Sequence, residues 1–150
     1  MDGKVIAERI RKDIAGKVAK LSSPIGLGTI LVGSDPGSVA YVDGKHKDCA
    51  QVGIKSIKMN LPDSVLTADV VAAVNKLNQD PNCTGFIVQL PLPSGIDVQE
   101  VLSAIDPKKD ADGLNPVNLG NLVLSVNKII PAIVSTRIIN PLVVKRLTIK

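Results

Sequence analysis

Seven segments of alternating type run through the first 105 residues, and their order restricts the fold more than any other property of the chain. Residues 4–20 carry Ile6, Ile10, Ile14 and Val18 at every fourth position with Lys and Arg between them. That is the spacing of a helix with one apolar face, and Asp2 stands where an N-cap belongs. After a Ser-Ser-Pro break, LGTILVG (27–33) is short, apolar and bounded by Gly, which fits a buried strand. SDPGS then turns the chain into a helix over 37–52, ended by Gly53. IKSIKMN (54–60) alternates as a strand does, and LTADVVAAVNKLNQ (66–79) sets Val70, Val71, Val74 and Leu77 on one helical face. Pro81-Asn82 breaks that helix, GFIVQL (85–90) is a third strand, and a short helix follows over 97–105. Helices interleaved with short apolar strands predict an α/β fold, a three-layer domain with a mostly parallel sheet flanked by helices. Residues 118–150 differ in kind. They are rich in Ile, Val and Leu, are broken by Pro131 and Pro141, show no period of 2 or 3.6, and receive no element.

The charge distribution narrows the partners. The formal net charge is +4, but residues 1–112 hold 13 basic and all 14 acidic side chains, a net of −1. The excess sits in Lys128, Arg137, Lys145, Arg146 and Lys150. With one Tyr, one Phe and no Trp there is little to stack on bases, so no nucleic acid is expected as partner. No apolar run approaches the ~18 residues that span a bilayer, and the charged N-terminus does not read as a signal peptide. A cytoplasmic protein without a membrane partner is expected. Cys49 and Cys83 match no metal-ligand or disulfide spacing and read as reduced, partly buried apolar residues. A lone His46 makes neither a metal triad nor a Ser-His-Asp set, so no metal is expected.

In parallel sheets, ligands gather at the carboxyl ends of the strands, and three chemistry-bearing pieces fall there. Ser38, Tyr41 and Lys45 follow the first strand, with Tyr41 and Lys45 four apart and so on one helical face. Gln89 stands where the third strand leaves the sheet, before Pro91 and Pro93, which predict an extended exit. Asp110 and Asp112 precede Gly113 in DPKKDADG. Each has a plainer reading: a helical lysine is usually a solvated charge, a glutamine at a strand end satisfies backbone groups, and Asp-Gly runs favour turns. Gly44 inside the helix, at a cost of ~1 kcal/mol relative to Ala, points instead to close approach of a ligand. Tyr-x-x-x-Lys is also the catalytic pair of short-chain dehydrogenases. The first strand, however, leads into SDPGS and not into a Gly-rich dinucleotide loop, which rejects that reading.

Four ordered blocks, MDGKVIAERI, LVGSDPGSVAYVDGKHKDCAQVGI, CTGFIVQLPLP and IDPKKDADGLNPVNLG, closely resemble the N-terminal half of bifunctional methylenetetrahydrofolate dehydrogenase/methenyltetrahydrofolate cyclohydrolase. The resemblance runs from about residue 2 to residue 124. It implies interconversion of methylene-, methenyl- and formyl-tetrahydrofolate, NADP as cofactor, tetrahydrofolate substrates and a possible homodimer. It makes Lys45 the general acid/base with Gln89 beside it, Tyr41 the residue that stacks on the pterin, and Asp112 the residue that binds the pterin's polar edge. Ser38 is carried over as a substrate-binding residue. The chemistry is consistent with these roles. Hydrolysis at a carbon between two nitrogens needs a base for water and an acid for the leaving nitrogen, and a lysine with a lowered pKa supplies both. Asp43 departs from related sequences and is expected to face solvent.

The larger departure follows residue 124. The family continues with a Pro-Cys-Thr-Pro segment and a Gly-rich dinucleotide loop, whereas no Gly follows Gly120 here. The expected organisation is therefore a folate-binding catalytic domain over 1–124 and an atypical tail over 125–150 where the dinucleotide-binding domain would begin. On that reading the NADP-dependent oxidation is absent and the chain performs at most the hydrolysis. The alternatives are a non-catalytic truncated remnant or folate-binding module, and a basic interaction protein acting through residues 128–150.

Overall fold

The computed structural model describes residues 3–124. In chain order these form helix α1 (Gly3–Val18), strand β1 (Gly26–Val32), helix α2 (Pro36–Val52), strand β2 (Lys55–Leu61), helix α3 (Thr67–Gln79), strand β3 (Gly85–Val88), helix α4 (Val98–Ala104) and helix α5 (Pro116–Val123). The strands form one parallel sheet in the order β2-β1-β3. Helix α2 is the crossover from β1 to β2, and α3 the crossover from β2 to β3. The α/β class and the parallel sheet flanked by helices are as expected. Element ends differ from expectation by at most two residues.

All seven residues of the central strand β1 are buried, and alternate side chains serve opposite layers. Ile30 and Val32, with Phe86 and Val88 of β3, meet Val70, Val74 and Leu77 of α3 and Val101 of α4 in the larger core. On the opposite face Leu27 and Ile87 meet Cys49 of α2 in a much smaller cluster. Gly28 permits the larger core to close. A Cβ there would stand 2.7 Å from Phe86 Cβ and 3.1 Å from Cys83 Sγ, too near for either to stay. Helix α1 has no buried residue and lies outside α2, tied to it by Arg11 and Asp48 at 3.3 Å. Edge strand β2 exposes Lys55 and Lys58, charges that discourage further pairing.

Asp2 and the tail over 125–150, with its five bases, lie outside the described residues. The exit from β3 is not extended: the strand ends at Val88 and the Leu90–Pro91 peptide is cis. Here the Gln89 backbone N–H still bonds to Ile30 O at 2.9 Å, while its side-chain amide donates to the Leu90 carbonyl at 2.7 Å. Helix α5 lies where the sequence pattern assigns no element. Its start is set by Asn115, whose side-chain oxygen accepts from the Val117 N–H at 2.8 Å, and by Pro116 at the first helical position.

Candidate functional site

The site face begins where β1 ends. Gly33, at φ 85° in the left-handed region, donates its N–H to Leu61 O at 2.8 Å and turns the chain out of the sheet. Asp35 caps α2, its carboxylate accepting from the Ser38 N–H at 2.8 Å, and Pro36 opens the helix. Gly53, at φ 80°, closes the helix as expected. Along α2, Ser38, Val42, His46, Cys49 and Val52 form the buried stripe at spacings of four and three. Tyr41 and Lys45 each stand one residue before a member of that stripe, which rotates them to its border.

There Lys45 meets the end of β3. Lys45 Nζ donates to Gln89 Oε1 at 3.1 Å and lies 5.8 Å from the centroid of the Tyr41 ring. Lys45 is half-buried, whereas Tyr41 is 71 % exposed and presents its aromatic face to solvent beside the amine. Because Gln89 Nε2 is held by the Leu90 carbonyl, the amide presents its oxygen and not its nitrogen to the lysine. A Cβ at Gly44 would meet nothing within 4 Å, so the protein's own packing does not require this glycine. Asp43 is exposed, as expected, and pairs with Lys58 at 2.8 Å.

The last two acids of DPKKDADG, Asp110 and Asp112, have separate tasks. Residues 109–111 run beside β3, with Phe86 N–H donating to Lys109 O at 2.8 Å and Ala111 N–H to Phe86 O at 3.1 Å. Asp110 is thereby carried inward. Its carboxylate accepts from the N–H groups of Gly113 at 2.9 Å, Leu114 at 3.3 Å and Asn115 at 2.9 Å, and from the Asn118 amide at 2.9 Å. Asp110 organises the loop and has no capacity left for a ligand. No hydrogen bond or ion pair engages the Asp112 carboxylate among the described residues. Burial raises its pKa, the Lys45 charge opposes that rise, and the Asp110 charge adds to it. Lys45 and Asp112 are therefore within electrostatic reach of one another.

Tyr41, Lys45, Gln89 and Asp112 thus share one end of the sheet. Ser38 does not join them by any hydrogen bond among the described residues: it is buried in the first turn of α2 with its backbone N–H bound to Asp35. Cys49 and Cys83 are free and buried, and burial raises both thiols' pKa, which leaves them inert as nucleophiles. Among the described residues no three His, Cys, Asp or Glu side chains converge on a metal position, and no helix is long and apolar enough to cross a membrane. Nor do these residues fit a dinucleotide. Each of the three turns that lead from a strand into a helix at this end already holds a carboxylate, Asp35 at the cap of α2, Asp69 in the first turn of α3 and Asp97 at the cap of α4, which would repel a pyrophosphate. One buried contact goes beyond the sequence reading: Thr29 Oγ1 and His46 Nε2 share a hydrogen bond of 2.7 Å. Its signal is a polar residue in the middle of an apolar helical stripe.

The same arrangement of strands and helices occurs in solved proteins. The bifunctional methylenetetrahydrofolate dehydrogenase/cyclohydrolase of Campylobacter jejuni is 36% identical and superimposes with a TM-score of 0.81, over 87% of this chain and 48% of that one. The Trypanosoma brucei dehydrogenase-cyclohydrolase, solved with NADP cofactor and an inhibitor, is 37% identical with a TM-score of 0.79, over 87% and 45%. A methylenetetrahydrofolate dehydrogenase from the silkworm Bombyx mori is 33% identical with a TM-score of 0.79, over 87% and 46%. This chain spans about half the length of each. The family model for the tetrahydrofolate dehydrogenase/cyclohydrolase catalytic domain matches residues 1–112, the stretch that supplies β1, α2, β3 and all five candidate side chains. By that match the chain belongs to the tetrahydrofolate dehydrogenase/cyclohydrolase family, through its catalytic domain.

Proposed function

We propose that the site hydrolyses methenyltetrahydrofolate, with Lys45 as the general acid/base. The observation that carries this reading is the 3.1 Å bond from Lys45 Nζ to Gln89 Oε1 beside an exposed tyrosine ring. Helix α2 and the end of β3 bring together an amine, an amide oxygen and an aromatic face, which is the set that ring-opening hydrolysis uses. The reacting carbon lies between two nitrogens and is electron-poor. As general base the Lys45 amine takes a proton as water adds to that carbon, and as general acid it returns the proton to the departing nitrogen. Gln89 accepts one N–H of the amine and fixes the direction of the others without adding a charge.

Tyr41 supplies the stacking face for the pterin, one turn of α2 before Lys45, so the ring is held while the one-carbon bridge sits over the amine. Asp112 takes the paired N–H groups of the aminopyrimidine edge in charge-assisted bonds. Such donors favour its ionised form and so reverse the upward push that burial gives its pKa. Ser38 is the weakest member, since its placement supports a role only through the first turn of α2. The NADP-dependent oxidation belongs to the family reading; the hydrolysis does not draw on it, and the described residues do not fit the dinucleotide. A cytoplasmic location, a homodimer and a part in supplying one-carbon units for purine biosynthesis rest on the family reading alone.

The test is hydrolysis of methenyltetrahydrofolate, followed by its absorbance, for the 150-residue chain and Lys45→Ala. Turnover above buffer that disappears in Lys45→Ala is expected. Equal rates for both proteins and buffer overturn the catalytic reading. In that case binding of the pterin without turnover, weakened by Tyr41→Ala, identifies a folate-binding module.

A further inference from the structure

A polar residue occupies the centre of the stripe by which α2 rests on the sheet. His46 is 6 % exposed and Thr29, its partner on β1, is 1 % exposed. The other imidazole nitrogen, Nδ1, has no partner and is the one buried side-chain nitrogen or oxygen of which this is true among the described residues. The neutral ring that donates from Nε2 to Thr29 Oγ1 strands no N–H, only a lone pair at Nδ1. A leucine here opposite a valine at position 29 would bury apolar surface with no unpaired atom at all, so the pair is not the cheapest way to hold the helix down.

What the pair adds is registry. Contacts of Val42, Cys49 and Val52 tolerate small slides and rotations of α2, because apolar packing has no direction. A 2.7 Å hydrogen bond is satisfied at one height and one rotation of the helix on β1. Lys45 is the residue next to His46. The residue next to Thr29 on β1 is Ile30, whose carbonyl accepts the Gln89 backbone N–H at 2.9 Å. Consecutive residues of one strand thus hold both partners of the Lys45–Gln89 contact, one through a side chain and the other through the backbone. A slip of α2 by one residue, ~1.5 Å along its axis, is enough to break it.

We infer that the Thr29–His46 hydrogen bond is a positioning device that sets Lys45 Nζ against Gln89 Oε1. Its meaning for catalysis rests on the acid/base reading of Lys45. Thr29 and His46 themselves are positioning residues and act only through Lys45.

The experiment is competitive acetylation of the folded 150-residue chain with trace acetic anhydride, with Lys45 quantified by mass spectrometry, alongside the hydrolysis assay. Gln89→Ala gives the labelling rate of a lysine that has lost its acceptor. Thr29→Val, which replaces the hydroxyl by a methyl of the same shape, is expected to label Lys45 at the Gln89→Ala rate, and Thr29→Ser at the wild-type rate. In the assay, kcat of Thr29→Val falls roughly tenfold or more while KM stays within about twofold, the pattern of a misplaced catalytic group. Wild-type labelling and kcat in Thr29→Val, whatever its melting temperature, reduce the pair to ordinary packing and overturn the inference. So does Gln89→Ala labelling at the wild-type rate, because the contact to be positioned is then absent in solution. If Thr29→Val does not fold, His46→Leu removes the bond from the other side and is read in the same way. If the wild-type chain matches buffer in hydrolysis, the acid/base reading fails while the labelling comparison still decides the positioning.

Discussion

The two faces of the sheet are built on opposite terms. Toward α3 and α4, Ile30, Val32, Phe86 and Val88 interdigitate with Val70, Val74, Leu77 and Val101 in an apolar core. Toward α2 the apolar cluster shrinks to Leu27, Ile87 and Cys49, and the neighbouring positions hold the buried Thr29 and His46 and the half-buried Lys45. The alternation of side chains along β1 keeps the two apart, since neighbours on one strand serve different layers. Hydrophobic burial supplies stability on one side, which frees the other to hold polar groups at fixed distances. A change on the first face should therefore be felt in stability, and a change on the second in activity.

The strongest way to break that division is Phe86→Ala. Phe86 is completely buried and packed against Gly28, so its removal leaves a cavity the backbone cannot fill. A loss of about 3–5 kcal/mol is expected, a large share of a domain's stability. Denaturant titration reads it as a lower midpoint. Survival of the wild-type midpoint would mean that the core is not on this face.

Lys45→Ala makes the matching change on the other face. It is expected to lower the hydrolysis rate by about 10²–10⁴ and to leave the denaturation midpoint nearly in place, because a half-buried lysine with one hydrogen bond contributes little to folding. A large loss of stability with an intact rate would reverse the comparison.

The core face is the legible one. Apolar period and Gly/Pro punctuation mark the strands and α3 because burial of an apolar stripe leaves a repeating trace in sequence, as Val70, Val74 and Leu77 show. The site face leaves less trace. Tyr41 and Lys45 are readable as a pair from their spacing of four, and Gln89 from its place at a strand end. That α2 and β3 bring them to 3.1 Å is a tertiary fact with no local signature. Asp110 and Asp112 look equivalent in DPKKDADG. Only the pairing of residues 109–111 beside β3 turns one inward and leaves the other free. Helix α5 escapes the sequence pattern because its eight residues are too few to show a period within the longer apolar stretch over 118–150, although Asn115-Pro116 carries a start signal. The Thr29–His46 bond escapes it because its partners lie 17 residues apart on a strand and a helix, and only the packing of α2 on β1 brings them together.

The acid pair sharpens the comparison within a single loop. Asp110→Asn puts an amide N–H against backbone N–H donors and strands at least one of them. A loss of about 1–3 kcal/mol in stability is expected, read by denaturation. Asp112→Asn removes charge from a carboxylate with no internal partner among the described residues. Its midpoint should stay near wild type while KM for methenyltetrahydrofolate rises, since the paired N–H acceptor is lost. If both variants lose stability alike, the division of tasks between the two acids is wrong.

The smallest expected effect is that of mild acid, and it too should separate the faces. Burial lowers the pKa of His46, the Lys58 charge lowers it further, the Asp43 charge opposes, and the Lys45 charge lowers it again. The unfolded chain protonates this ring near pH 6.5, the folded chain only at lower pH. Below 6.5 the unfolded state therefore binds more protons, so this group's stabilising contribution is complete above that value and is lost as pH falls toward the folded one. Asp112 has the opposite sign. Its raised pKa means that the folded chain keeps a proton where the unfolded carboxyl, near 3.8, has released it, so this group favours folding at the acid end and loses that advantage as pH rises. His46→Gln isolates the histidine, because glutamine can still donate to Thr29 but does not titrate. Between about pH 8 and about pH 6 the melting temperature of the wild type should fall further than that of His46→Gln. Val74→Ala, on the apolar face, should melt lower at both pH values with the wild-type difference between them. Should His46→Gln keep the full wild-type acid sensitivity, the ring does not stay neutral in the fold, and the polar pair is not what holds α2 against β1.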